Sequence, residues 1–598
     1  MRNRLWIIIV LMVWIGQWAI SIAGPLPTQS LPEREAWLLV ENLAHLVVLQ
    51  ANQRWFWPSS RSHRRGRGRR RRARRRKKWP SHRRAGPKGT REEEPEPGQP
   101  CDGSPDAQSE SVFAPQRWGL SPDVSQELPE RLHTFWQRFA ACFRTRTRDT
   151  SAYAYHYLSG LLRLENKRNY TNIGRATGVA GENMQHFMSN SPWSARAAVD
   201  QVQQEVKATP GLKRGSVLIL DESADQAGEQ MAGSGRQHNG RLGKVEMSQV
   251  GTLVAYANLT DVERPLWLWV DGELYLQKHW LSPEMAEARQ RVGIPPQRQF
   301  ETKIELGWKM IQRVKAQGLP FEAVACDDVY GRSTWLRDKM AGAGLTYMAD
   351  VPRTTQVYLE KPVLGVPEPV PGRRGRKPTR LRVLNDAQPF KAYQVARHPD
   401  TLWKRVRVRA IERGDLNDPF AARLVWTLRE GEPEPVQEWL VMRREGKKRC
   451  TYSLSNAPTS ATLKDLAWLK CQRYFVERTI QDAKSEVGWN ELQARKYRGW
   501  EHHLALVILA VWFLAQTRWQ WAVRYVRDPA LAQQLELDAL PALSMANIRA
   551  WLRAAMPLPQ PTPQQAVALV AQHLVNRSRS RKSRLKRQRA TSNANAPP

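Results

Sequence analysis

TLKDLAWLKCQRYFVERTIQDAKSEVG, residues Thr462 to Gly488, carries two stripes along what its spacing predicts to be one helix. Thr462 followed three residues on by Asp465 has the form of a capping box with Asp in place of Glu, and Gly488 is a natural stop. Val476, Ile480, Ala483 and Val487 recur at i, i+4, i+7 and i+11, the spacing of a buried face. Lys470, Arg473, Glu477 and Lys484 recur at i, i+3, i+7 and i+14 and stack on one side. A carboxylate between cations beside an apolar seam is ordinarily a solvated face with i,i+4 pairs. A catalytic reading needs partners elsewhere in the chain.

The composition says what kind of partner to look for. The chain has 598 residues, a formal charge of +36 and a pI near 10.5, which points to a polyanion, nucleic acid before membrane. Residues 61–91 hold 17 Lys/Arg and residues 577–589 hold 8, with no acid in either, and the remainder is still net positive. Five scattered cysteines (Cys101, Cys142, Cys326, Cys450, Cys471) lack metal-ligand spacing and fit a reducing compartment without a disulfide framework. The N-terminus argues otherwise. Arg2 and Arg4 precede an apolar run, Leu5 to Ala23, resembling a signal peptide or anchor. A Trp-rich patch, the Arg-rich run and an acidic Pro/Gly/Ser stretch follow, so residues 1–120 read as a disordered leader and not as part of the working protein. An extended gene model or a fused leader would account for it, although no Met lies between Met12 and Met184.

Residues 121–210 read as helical. Tyr170 to Ser191 outlines two helices about a glycine-containing turn, either a helix-turn-helix or an ordinary hairpin, with Arg163, Lys167, Arg168 and Arg175 nearby. At residue 211 an α/β core begins. SVLIL (216–220) is a buried-type strand ending at Asp221-Glu222-Ser223, and a basic Gly-rich loop, Gly233 to Lys244, follows with Arg241 in it. Two further strands, an amphipathic helix (residues 305–318), the strand FEAVACDDVYG ending in Asp327-Asp328 and the strand LTYMADV complete residues 211–351. A lone carboxylate at a strand end must be solvated, paired or metal-bound. Strand-Asp, hairpin, helix, strand-Asp, strand is the order of a ribonuclease-H-like core. Residues 352–460 read as a β-rich insertion. Residues 461–530 return to the core with the Thr462–Gly488 helix and a buried apolar helix through Leu504 to Ala515. Residues 531–598 give a helical segment and a disordered basic tail.

Six segments in this order resemble the DDE superfamily transposases over residues 126–525, nearest the IS-four-like and IS-seven-hundred-one-like groups. They are LILDES, GRQHNGRLGK, HWLSPEMAEARQRVGIP, FEAVACDDVYG, YSLSNAP and RYFVERTIQDAKSEVG. Arg473, Glu477 and Lys484 follow the R-x3-E-x6-K part of the family's Y-R-E-K signature, and its Tyr falls on Lys470, a departure at a DNA-backbone contact. The family's D-x-x-Y-G maps onto Asp327, Tyr330 and Gly331. The resemblance implies a metal-ion site of Asp221, Asp327 and Glu477 holding two Mg²⁺ (or Mn²⁺) ions for DNA cleavage and strand transfer. Hard divalent ions suit carboxylate oxygens, and two ions about 3.5–4 Å apart can activate a nucleophile and stabilise the leaving oxygen.

The resemblance further implies double-stranded DNA partners, terminal inverted repeats and target, and a homodimer in the synaptic complex. Arg473, Lys484, Lys470, Arg241 and Lys244 are the candidate DNA contacts. Trp439, in QEWLVMRRE, is either a cross-strand core aromatic or a clamp for a flipped base. A cytoplasmic, nucleoid-associated protein is expected, with no membrane role. Two other classes stay open: a non-catalytic DNA-binding remnant, against which the three acids speak, and an envelope protein anchored by Leu5 to Ala23.

Overall fold

The strand that carries Asp221 is the middle one of five core strands, and the rest of the fold is arranged around them. In the computed structural model the described residues are 111–594, apart from 213, 241–242, 262–263, 369–377, 412–413, 447–448, 493 and 538–539. The apolar run at the N-terminus, the Arg-rich run and Arg241 lie outside them. All described residues fall in one compact unit, residues 101–598.

Strand β1 (Ser216–Gln226) pairs antiparallel with β3 (Lys244–Asn258), whose far edge takes both β2 (Gly235–Asn239) and β4 (Leu266–Leu274). On its other side β1 runs parallel to β5 (Ala323–Cys326), and β5 runs parallel to β6 (Thr346–Val351). The five-strand order is therefore β4-β3-β1-β5-β6, three antiparallel and then two parallel. β1 is longer than its apolar part predicts. It continues through Asp221 to Gln226, so Asp221 lies mid-strand and Asp225 is in the ladder rather than in a loop.

The expected insertion does not stand apart from this core. Past β7 (Gln356–Tyr358), the small pair β8 (Leu364–Gly365) and β9 (Arg382–Val383), and β10 (Pro389–Lys391) come four longer strands. These are β11 (Lys404–Ile411), β12 (Gly414–Thr427), β13 (Val436–Glu445) and β14 (Arg449–Ser455), strands as the β-rich reading of residues 352–460 expects. β14 pairs antiparallel with β6, which fuses both parts into one 12-stranded sheet. An unpaired β6 would leave a row of open backbone groups at the edge, and β14 closes it.

Helices α1 (Pro122–Phe139), α2 (Ser151–Arg163), α3 (Tyr170–Thr177), α4 (Gly181–Ser189) and α5 (Ala195–Ala208) precede the sheet. α6 (Lys303–Ala316) links β4 to β5 and starts with a capping box at Thr302 and Glu305. The stretch Thr462 to Gly488 is two helices, α7 (Leu463–Cys471) and α8 (Tyr474–Ser485), not one. Gln472, Phe475 and Val476 donate backbone N–H groups to carbonyls three residues back, not four, and that tightened turn breaks the helix. The Thr462–Asp465 capping box forms as expected, and Gly488 ends the segment at φ 70°, a left-handed conformation that glycine reaches without a Cβ clash.

The apolar run through Leu504 to Ala515 lies in α9 (Tyr497–Arg524), the central buried helix, followed by α10 (Met545–Ala555). Phe135 of α1, Leu220 of β1 and Phe513 of α9 belong to a single apolar cluster, so the N-terminal helices share their core with the sheet. The basic tail is helical here: residues Pro563–Ala594 form a solvent-exposed helix where disorder was expected.

Asp327 caps a single helical turn, Asp328–Gly331, which presses on β6. A Cβ on Gly331 would lie 2.0 Å from the Asp350 carbonyl oxygen, a backbone atom that cannot step aside. Gly331→Ala should therefore cost at least about 1–3 kcal/mol through overpacking. Gly342→Ala, with nothing within 4 Å of its Cβ, should leave stability unchanged or slightly raised. Chemical denaturation of both variants checks this, and equal effects would contradict the packing account.

Candidate active site

The parallel register sets Leu220 beside Cys326, so the next residues come out side by side, Asp221 within β1 and Asp327 just past the end of β5. Asp221 accepts the Glu222 N–H at 2.7 Å. Asp327 accepts from Val329 N at 3.0 Å and Tyr330 N at 3.3 Å, an N-cap that fixes its carboxylate at the strand end. Asp328 instead turns outward to Arg332 at 3.1 Å. Burial pushes Asp221 up to about 7, with the Asp327 charge adding to the shift. Burial likewise pushes Asp327 up to about 6. Its backbone hydrogen bonds oppose the shift, and the charges of Asp328 and Glu222 add to it. Two carboxylates sharing a poorly solvated spot disfavour double ionisation unless a cation arrives.

The cation present comes from the break between α7 and α8. Arg473 stands at that break and touches three acids: Asp350 through Nε at 3.0 Å, Glu477 through Nη2 at 2.8 Å and Asp221 through Nη1 at 3.6 Å. Its guanidinium is thereby the link between the first and third of the expected acids. Glu477, one turn along α8, is 56% exposed, so it sits at the rim while Asp221, at 14%, sits inside. Among the described residues, no three His, Cys, Asp or Glu side chains converge closely enough to hold a metal ion.

Asp350 escaped the sequence reading. It lies on β6, beside the strand that leads to Asp327, and takes Lys470 Nζ at 3.1 Å as well as Arg473. Lys470 also bonds Ser453 of β14, which in turn bonds Asp350. Although burial alone would raise its pKa, Lys470 and then Arg473 hold the Asp350 carboxyl below the usual carboxylate range. Lys470 is thus a buried residue directed at Asp350 rather than at solvent. The only sequence signal for Asp350 was a charge in an apolar strand, LTYMADV.

α8 lies along the Asp221–Asp225 face of β1. Arg473 meets Asp221 at one end, and Lys484 meets Asp225 at 2.9 Å at the other. The predicted seam is on the inner side of this helix: Val476, Ala483 and Val487 are fully buried, and Ile480 partly. Glu222, one residue on from Asp221, pairs with Lys303 at 2.5 Å at the start of α6.

The remaining candidates lie elsewhere. Lys244 opens β3, exposed, 3.3 Å from Glu246. Trp439 of β13 is partly buried against the main core, and its indole donates to the Pro458 carbonyl at 3.2 Å. α3 and α4 are joined through Gly178, the turn that the helix-turn-helix and the plain hairpin reading both expect. The nearby cations divide. Arg168 is buried on Glu491, and Arg163 donates to the Met556 and Pro557 carbonyls, while Lys167 and Arg175 are exposed.

Two raised carboxylates make stability depend on pH with a definite sign. An acid whose folded pKa exceeds its unfolded value near 3.9 binds more protons when folded, so stability is lost as pH rises from about 4 through 7. In buffer containing a chelator, Asp221→Asn should be more thermostable than wild type at pH 8, with the gap closing by pH 4. A gap that is absent or independent of pH would remove the strained acid pair. For Trp439, truncation to Ala should cost about 3–5 kcal/mol as a core aromatic, an upper range because the ring is only partly buried.

Residues 138–415 match the model of a family described as DDE superfamily endonuclease. No curated protein matches the chain. The matched stretch contains Asp221, Asp327 and Asp350 and ends before Lys470, Arg473, Glu477 and Lys484. Endonucleases of this kind generally use divalent metal ions. The match supports a DDE transposase-like protein, with transposase-type nuclease activity and DNA as the implied substrate.

Proposed function

We propose that the chain is an insertion-sequence transposase that cuts and rejoins DNA at a site made of Asp221, Asp327 and Glu477 on a ribonuclease-H-like core. The observation that carries this reading is the side-by-side placement of Asp221 and Asp327 by parallel strands, with Arg473 tying Asp221 to Glu477. The β4-β3-β1-β5-β6 order supports the core assignment.

By donor chemistry the carboxylates Asp221 and Asp327 suit a hard divalent cation, and Glu477 would have to turn in from the rim to complete the set. Asp221 and Asp327 are crowded, poorly solvated carboxylates, and Glu477 is held at the rim by Arg473. Asp221 and Asp327 would hold the ion or ions, with Glu477 the third ligand. Bound there, divalent metal supplies Lewis-acid stabilisation of the phosphorus centre and a water or 3′-hydroxyl that is a better nucleophile at neutral pH.

The protein's own groups do the rest. The N-cap bonds from Val329 and Tyr330 keep Asp327 aimed beside Asp221. The Asp350–Lys470 pair holds Arg473 at the entrance, where a guanidinium suits a phosphate's paired oxygens. Lys484 lies further along the same helix, paired with Asp225 at 2.9 Å. The net positive charge supplies the non-specific attraction that brings a duplex to the site.

A second reading, a DNA-binding remnant without catalysis, draws on Glu477 being held by Arg473 and turned to solvent. One assay separates the two. With Mg²⁺ and a duplex carrying the element's own end, wild type should cleave. Asp221→Ala, Asp327→Ala and Glu477→Ala should each abolish cleavage while duplex binding persists. A wild-type protein that binds the end and never cuts it would support the remnant, and full activity in any one variant would remove that acid from the site.

A further inference from the structure

Each of the three guanidinium nitrogens of Arg473 faces an acid, hydrogen-bonded to Glu477 and ion-paired with Asp350 and Asp221. It makes contacts of 3.0 Å to Asp350 and 2.8 Å to Glu477, and a longer one of 3.6 Å to Asp221. A guanidinium so placed stands beside carboxylates that a metal would neutralise, and its ion pairs compete with any grip on a phosphate. The contacts are also unequal in their surroundings. Asp350 is anchored from behind by Lys470 and Ser453, whereas Glu477 is more than half exposed and free to turn on its own helix.

We propose that Arg473 is a resident cation of the acidic centre, displaced by divalent metal and thereby released to bind DNA phosphate, with Asp350 as its pivot. The inference rests on the reading of Asp221 and Glu477 as metal ligands. In the metal-free protein Arg473 neutralises Asp221 and Glu477 and keeps the site closed. Metal takes over those two carboxylates. Arg473 keeps its Nε bond to Asp350 and swings its two Nη groups out to the backbone of the duplex. Metal and DNA then favour each other through one side chain, and the coupling is reciprocal. Lys470 gains a reason to stand where related signatures carry Tyr: it holds the pivot rather than the DNA.

The test measures Mn²⁺ binding by electron paramagnetic resonance of the free ion, using full-length protein with and without a 12-base-pair duplex of arbitrary sequence. Wild type should bind Mn²⁺ weakly alone and more tightly with duplex, by a factor in the range of about 5–150 usual for coupled sites. Arg473→Gln should bind Mn²⁺ about tenfold more tightly without DNA, a competition of the ordinary coupling size, and gain nothing from the duplex. Arg473→Lys keeps the charge but cannot span three carboxylates, so it should behave like Arg473→Gln; it also serves if the Gln variant does not fold. Equal Mn²⁺ affinity in wild type and both variants overturns the displacement. An Arg473→Lys that matches wild type while Arg473→Gln binds more tightly reduces it to a plain charge effect and overturns it too. Asp221→Asn distinguishes the layers: if that change leaves Mn²⁺ binding intact, the metal site itself is wrong, and both readings fall together.

Discussion

Two carboxylates forced together by neighbouring parallel strands, Asp221 and Asp327, are the constraint on which the rest of the structure depends. Backbone pairing between β1 and β5 fixes their separation, so neither can relax away from the other. Burial is the first cost for both and shifts both upward, with the Asp327 charge adding to it at Asp221 and those of Asp328 and Glu222 adding to it at Asp327. The surroundings answer with cations: Arg473 on Asp221, Lys303 on Glu222 and Lys484 on Asp225. Each comes from a helix that packs on β1, and helix placement and charge placement are the same problem.

The sheet extension serves that arrangement. β14 closes the edge of β6, and its Ser453 meets Asp350 and Lys470 directly behind Arg473. The segment that reads as an insertion is therefore part of the wall that positions the arginine. The break between α7 and α8 has the same sense. Lys470, before the break, reaches the inner oxygen of Asp350, and Arg473, just after it, reaches the outer one.

Much of this was legible in residues whose chemistry and period agree. The strands SVLIL, LTYMADV and QEWLVMRRE, the capping box at Thr462 and the seam of Val476, Ala483 and Val487 follow from local pattern. What escaped depended on contacts between distant segments. The helix break at Gln472 carries no Gly or Pro and shows only in backbone bonds. The continuation of β1 past Asp221 is paid for by salt bridges from Lys303 and Lys484, residues far along the chain. Asp350 looked like the end of a strand, because a single charge gives no sign of the lysine and arginine that will meet it. Lys470 was legible as a cation but not as a buried one.

The most direct measurement of the central claim is anomalous scattering from crystals of the full-length protein grown with Mn²⁺. The account predicts manganese density against the carboxylates of Asp221 and Asp327, with Glu477 turned toward it and Arg473 withdrawn onto Asp350. Well-ordered density at full Mn²⁺ occupancy elsewhere, with Asp221 and Asp327 bare and Arg473 still bridging to Glu477, would contradict it.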